Sequence, residues 1–358
     1  MLFTTNISIG TPPQPFIACV DINWSDLFVP SSSCMLDPDM QRYCSPFRKF
    51  NSTQSSTHVP ASAFEDTQYE FLWARGYLAH DTVHIAQLQI SNQTFEDAAF
   101  WRSQYRSGWA PIDTGLGLAR SRPRESRDRD NTAEWGSSIL QNLKEQGALQ
   151  ENIFSLQLPR ADEELGNLVL GGSDLQRGRQ SRILTLPLTN KSVSSGPRLS
   201  FLVSSGWQAN ISSMSLHSSI NNQAPLDIDL KGGTAIFSNW HDFISVSPPM
   251  AERILTYLHL SDLYPDPPCS QISDLPNLTL GFGDVGKITL TPSQYTVRVK
   301  SVYRDDEDRC VIPFTDWAHD GLREEGEKFV VLGTAVLQNL ITEFDLDKET
   351  ISFSARDD

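Results

Sequence analysis

The sequence predicts a mostly-β chain built as two similar halves, and three observations carry that expectation. Short runs of alternating or apolar residues recur along the whole length, separated by Gly, Pro, Asn and Ser, the pattern of brief strands joined by turns. Helical periodicity is confined to two short stretches, Trp135–Gln146 and Pro249–Leu260. The chain has 358 residues, more than one simple core accommodates, which suits two domains.

In order, strands are expected at Asn6–Gly10, Phe16–Asp21, Tyr77–Ile85, Asn152–Leu158, Asn167–Leu170, Ile183–Leu188, Ile236–Val246 and Lys287–Leu290. One segment breaks the texture. Ser121–Asp130, SRPRESRDRD, interleaves opposite charges with no aliphatic or aromatic residue, so a solvated loop is expected rather than an arginine patch.

Composition narrows the function. Hydrophobic content of 39% and charged content of 20% are those of an ordinary soluble globular protein. The 44 acidic against 29 basic residues give a net charge of −15. That balance argues against nucleic acid and anionic membranes, both of which reward Lys/Arg clusters, and it suits work at low pH. No apolar run is long enough to span a bilayer. No phosphate-binding glycine loop, HExxH, EF-hand loop, Gly-x-Ser-x-Gly elbow or zinc-type Cys/His spacing occurs, so neither cofactor nor metal is expected.

The five cysteines suit local staples. Cys34 and Cys44 bracket a short polar loop, and Cys269 and Cys310 are placed to close a longer one. Cys19, within Phe16-Ile17-Ala18-Cys19-Val20, reads as a free, buried thiol. Asn-x-Ser/Thr sequons occur at Asn6, Asn23, Asn51, Asn92, Asn190, Asn210 and Asn277, and with the cysteine pairs they favour a secretory or extracellular route. The opening residues carry no signal peptide pattern, so a secreted form needs a segment outside this chain.

The opening reads Asn6-Ile-Ser-Ile-Gly-Thr-Pro-Pro-Gln14, then Val20-Asp21-Ile22-Asn23-Trp24-Ser25 and Leu27-Phe28-Val29-Pro30-Ser31. Gly76–Val83, Ala110–Ala119, Phe154-Ser-Leu, Leu168–Gly172, Val331–Leu337 and Phe344–Asp347 follow in order. Together these segments resemble the pepsin-like aspartic peptidases. The resemblance implies a bilobal pepsin-like acid protease fold, two β-barrel-like lobes with a few short helices and a cleft between them. The lobes are expected at 1–172 and 173–358.

The chemistry of that family uses two carboxylates, one from each lobe, that share a proton because both cannot be ionised at once. One takes a proton from the attacking water and the other polarises the scissile carbonyl. On the resemblance, Asp21 holds the first position, but the Thr, Gly and Ser expected after it are Ile22, Asn23 and Trp24. At the second position Asp-Thr-Gly has become Ser238-Asn239-Trp240. Ser238 cannot share a proton, so the pair is reduced to one acid.

Two decoys stand nearby. Asp113-Thr114-Gly115 is a literal Asp-Thr-Gly, but its neighbours place it in a structural turn. Asp242, four residues after Ser238, is expected to point elsewhere. Tyr69 matches the tyrosine of the family's flap, while Glu70-Phe71-Leu72-Trp73 replace its glycine-rich tip. With Trp24 and Trp240 the cleft becomes aromatic, either plugged by its own side chains or open to an apolar ligand. His241 is the one histidine in a catalytic loop and a test case for a replacement acid–base group.

Three functions compete on these residues. The leading one is a pseudopeptidase with little or no endopeptidase activity, monomeric, holding a peptide, a protein or an apolar small molecule. The second is a non-proteolytic or accessory role on a small molecule in a secondary-metabolite pathway. The third is an unusual active aspartic-type endopeptidase.

Overall fold

The structure is a computed structural model that describes residues 3–69, 72–103, 112–120, 136–160, 164–177, 184–191, 197–218, 224–260, 267–299, 308–317 and 328–356. The charged stretch Ser121–Asp130, flap residues Glu70 and Phe71, and the first residues of two expected elements, Trp135 and Ile183, lie outside them. The chain divides into two compact units, Met1–Gln150 and Glu151–Asp358. It is mostly β, with several sheets and few helices, as the sequence predicts.

In the first unit the strands are β1 (Thr4–Ile9), β2 (Gln14–Asp21), β3 (Phe28–Pro30), β4 (Val59–Tyr69), β5 (Leu72–Ile85), β6 (Leu88–Ser103) and β7 (Thr114–Gly117). They form one seven-stranded sheet in the order β3-β6-β5-β1-β2-β7, with β4 paired to β5. Among the described residues it is accompanied by the α-helices α1 (Pro38–Cys44) and α2 (Ile139–Glu145). The Asp37 side chain accepts from the Asp39 N–H and Pro38 opens α1, both favourable at a helix start. Ser138 caps α2 in the same way through the Gln141 N–H. Phe16, Phe28, Phe50, Phe95 and Trp101 are fully buried and form the core, each worth about 1.5–3 kcal/mol of apolar burial.

In the second unit the strands are β8 (Ile153–Gln157), β9 (Asn167–Leu170), β10 (Leu184–Pro187), β11 (Gln208–His217), β12 (Leu226–Phe237) and β13 (Ile244–Val246). They continue with β14 (Asn277–Gly281), β15 (Lys287–Leu290), β16 (Val297–Val299), β17 (Arg309–Val311) and β18 (Phe314–Asp316). The last are β19 (Phe329–Leu332), β20 (Leu340–Asp345) and β21 (Thr350–Ala355). One sheet runs β15-β14-β11-β12-β19-β13-β18, a second β10-β21-β20-β8-β9, and β16 pairs with β17. Residues 151–172, expected at the end of the first lobe, supply β8 and β9, and β8 pairs with β20. Among the described residues the α-helices are α3 (Pro197–Ser204), α4 (Pro248–Tyr257), α5 (Pro292–Tyr295) and α6 (Thr334–Leu337). Phe154 stacks on Phe344 at 4.4 Å, with Trp207 edge-on to both.

One strand expectation is corrected. Ile236–Val246 is not a single strand: β12 ends at Phe237, residues 238–243 form a loop, and β13 resumes at Ile244. The loop turns because the Ser238 hydroxyl accepts from the His241 N–H at 3.2 Å, a local bond that competes with a sheet ladder.

The two cysteine pairs are disulfide-bonded, Cys34 to Cys44 and Cys269 to Cys310, with Cα atoms 6.4 and 4.9 Å apart. Cys19 is free and buried. Asn6, Asn92, Asn190 and Asn210 are exposed, Asn51 and Asn277 half-buried, and Asn23 is buried. No helix among the described residues is long and apolar enough to cross a membrane.

Candidate functional site

Both units repeat one device. A strand that ends at a loop pairs in parallel with a second strand that has a glycine at or just after its end, Gly117 in one unit and Gly333 in the other. In the first unit β2 pairs with β7, Asp21 opposite Gly117, and the Leu118 N–H donates to the Asp21 carbonyl at 2.8 Å. In the second, β12 pairs with β19, Phe237 opposite Leu332, and the Ser238 N–H donates to the Leu332 carbonyl at 3.1 Å. Parallel neighbours bury both strand faces, so Cys19, Val20 and Asp21 are all buried despite alternating.

The Asp21 carboxylate is held from both sides. The Asn23 N–H donates to Oδ1 at 2.7 Å, and the Tyr69 hydroxyl donates to Oδ2 at 3.0 Å. Burial, then the charge of Asp21, pushes the Tyr69 phenol well above its ordinary range, so Tyr69 stays a donor. The Cys19 thiol beside them is pushed up to about 12, chiefly by burial, and is chemically inert.

Aromatic rings pack around the tyrosine that donates to this carboxylate. Trp24 packs edge-on to Tyr69 at 4.8 Å and to Phe28 at 6.1 Å. Phe28 lies 5.4 Å from Tyr69 and 5.8 Å from Trp101, and Phe47 lies 5.6 Å from Trp101. The Trp24 indole N–H donates to the Asp26 carbonyl at 2.6 Å. Sequence reading names Trp24 and Tyr69 but not Phe47 or Trp101, which are brought in by β6 and the loop before β4, with no local signal.

Asp113 serves the frame. Its Oδ2 accepts from the Ile17 N–H at 2.8 Å and its Oδ1 from the Arg48 N–H at 2.9 Å. Removing this acceptor leaves two backbone donors unpaired, each costing about 1–3 kcal/mol. Asp113→Ala is therefore expected to destabilise the first unit by about 3 kcal/mol, read as a lower denaturation midpoint.

In the second unit the loop after β12 is tied to α6. The Thr334 N–H donates to the His241 carbonyl at 2.8 Å and the Gly333 N–H to the Phe243 carbonyl at 3.0 Å. The Thr334 hydroxyl donates to Asp242 Oδ1 at 3.2 Å. Ser238 is fully buried and Trp240 half-buried. His241 Nε2 lies 2.6 Å from the Ser245 hydroxyl, and its ring packs 5.1 Å from Trp317. Ser245, a strand residue four positions on, carries no motif that would mark it.

Burial pulls the His241 imidazole from 6.5 down to about 4, partly opposed by Asp242. A depressed folded value contributes stability that is present above 6.5 and lost as pH falls through about 4. Amide exchange in β12 and β13 is expected to quicken across that window, after correction for intrinsic rates, by an amount worth about 3 kcal/mol. His241→Gln is expected to abolish that dependence.

Among the described residues no group of His, Cys, Asp and Glu is arranged to hold a metal ion.

The chain matches the model of the family described as eukaryotic aspartyl protease over residues 2–356. It is 27% identical to cathepsin D of Gallus gallus over 355 residues, covering 97% of this chain and 79% of that protein. It is 25% identical to pepsin II-2/3 of Oryctolagus cuniculus over 358 residues, covering 98% and 79%. Pepsin B of Canis lupus familiaris is 34% identical over 172 residues, 48% of this chain and 40% of that protein. Pregnancy-associated glycoprotein 6 of Ovis aries is 31% identical over 175 residues, 49% and 42%. The chain thus spans about two fifths of the length of these last two relatives. A match running almost from end to end, on a mostly-β fold whose two units each repeat the same strand-and-loop device, makes the chain a member of the eukaryotic aspartyl protease family.

Proposed function

We propose that the chain is a pseudopeptidase of this family, with little or no endopeptidase activity and with its Asp21 site filled by its own aromatic side chains. What supports this reading is Ser238, a buried serine in the loop after β12, which on the family resemblance stands where peptide hydrolysis requires a second carboxyl. A serine hydroxyl donates and accepts hydrogen bonds but does not ionise in the range where carboxyls exchange protons. Losing one acid–base partner forfeits ~10²–10⁴-fold, and groups that work as a unit lose more than their separate shares.

Further observations support the reading. Asp21 Oδ2 accepts from Tyr69, and the rings of Trp24, Phe28 and Tyr69 spend their faces on one another. Asp113 is engaged by backbone donors and Asp242 by Thr334. His241 directs Nε2 to Ser245. The disulfides and the exposed sequon asparagines support a secreted, glycosylated protein. Incubation with denatured protein from acid to neutral pH, read by mass spectrometry of the products, tests the reading. No new chain ends are expected; ends that disappear in Asp21→Asn would overturn it.

A further inference from the structure

We propose that Glu96 is a proton-operated latch: its carboxyl, buried in the first unit's sheet beside the strand that follows the Asp21 loop, holds a proton while that unit is folded and drives it open when the proton leaves. This goes beyond the reading of the Asp21 site and stands whether or not the chain hydrolyses peptides.

Glu96 sits on β6 with β3 on one side and β5 on the other. It pairs with Phe28 in parallel and with Leu78 antiparallel, and its N–H donates to the Leu27 carbonyl at 2.9 Å. Its side chain is fully buried, and neither carboxyl oxygen has a hydrogen-bond partner among the described residues. The Thr67 hydroxyl on β4 lies beside it, near enough to temper the effect of burial, but not in hydrogen-bonding geometry with either oxygen.

The charged groups that bear on it are acidic. Glu65 and Asp66 come from β4 and Asp26 from the loop before β3. On β5, Arg75 is bound to Asp66 at 3.0 Å and His80 to Thr94 at 3.0 Å; β3 offers only Phe28, Val29 and Pro30. An ionised Glu96 would therefore be a buried, unpaired charge among like charges, which is strongly disfavoured. Burial first, then these neighbours, raises its titration from 4.5 to about 8.

The direction of the pH effect follows. The folded value lies above the unfolded one, so the contribution is complete below 4.5 and lost as pH rises through about 8. Across that window the unfolded unit has released the proton and the folded unit has not, so the opening constant rises about tenfold per pH unit. The loop feels the change directly: Asp26 accepts from the Ser25 hydroxyl at 2.9 Å, and its carbonyl holds the Trp24 indole.

Amide exchange along β3 and β6 in the full chain, wild type against Glu96→Gln, tests the latch. The ratio of wild-type to variant opening constants is expected to rise about tenfold per pH unit between about 5 and 8, with β12 and β19 of the second unit showing no such rise. A folded Glu96→Gln protein with the wild-type slope would overturn it. Should that variant not fold, the wild type decides: protection in β6 that is independent of pH, once base catalysis is removed, would overturn it, and a loss confined to the first unit would support it.

Discussion

Ser238→Asp, made alone, is expected to leave the chain without measurable peptidase activity. Installing the second carboxyl does not free the first. Asp21 still accepts from Tyr69 on one oxygen and from the Asn23 N–H on the other, and Trp24 still packs on Tyr69 at 4.8 Å. A proton pair needs both carboxyls free to bind water and substrate, so the aromatic filling has to go as well. Combining Ser238→Asp with Ile22→Thr, Asn23→Gly and Trp24→Ser is expected to raise hydrolysis of an acid-range fluorogenic peptide at least ~10²-fold over the single variant, the scale of one restored acid–base partner. Activity in Ser238→Asp alone would show that the filling is no obstacle.

The second large effect is on stability and falls on two glycines. A Cβ at Gly117 would stand 2.4 Å from the Trp24 carbonyl oxygen and 2.7 Å from Ser25 Cα; one at Gly333 would stand 2.3 Å from the carbonyl oxygens of both His241 and Phe243. Each obstacle is backbone, so no side-chain rotation relieves it. Each is also tied down: the Ala119 N–H donates to the Trp24 carbonyl at 2.9 Å, and Gly333 itself donates to Phe243. Overpacking a well-filled core costs about 1–3 kcal/mol, and more where the backbone must move. Gly117→Ala and Gly333→Ala are each expected to cost about 3 kcal/mol or more, as a lower denaturation midpoint for the unit concerned. Gly172→Ala, whose Cβ would meet only Val169 at 3.9 Å, is the control and is expected to cost less than about 1 kcal/mol.

These glycines also mark what was legible in the sequence. A strand that alternates cleanly, such as Lys287–Leu290, is found where the pattern places it, because one buried face fixes both period and register. Ile236–Val246 has the pattern of one strand because its apolar residues continue through the loop. There, Trp240 is half-buried and Phe243 exposed, both outside the ladder, and the turn is held by the Ser238 hydroxyl and by bonds to α6. Around Asp21 the neighbours in sequence were readable. Tyr69 was placed only by its likeness to a flap residue, and its bond to Asp21 is a contact across 48 positions that no local pattern encodes. Glu96 was invisible for a simpler reason. Within Thr94-Phe95-Glu96-Asp97 it reads as a solvent-facing residue of an alternating strand, and the groups around its buried carboxyl, Thr67 of β4 and Asp26 of the loop before β3, are distant in sequence.

The central claim is the proposed replacement of the family's second acid by Ser238, and binding of a hydroxyl-bearing peptide mimic of the tetrahedral transition state tests it most directly. Such mimics bind a working site at least ~10²-fold tighter than the matching peptide, because only the transition state engages both carboxyls. Calorimetric titration at acid pH is expected to give the mimic no advantage over the plain peptide, and Asp21→Asn no change. An advantage of ~10²-fold or more that vanishes in Asp21→Asn would contradict the claim.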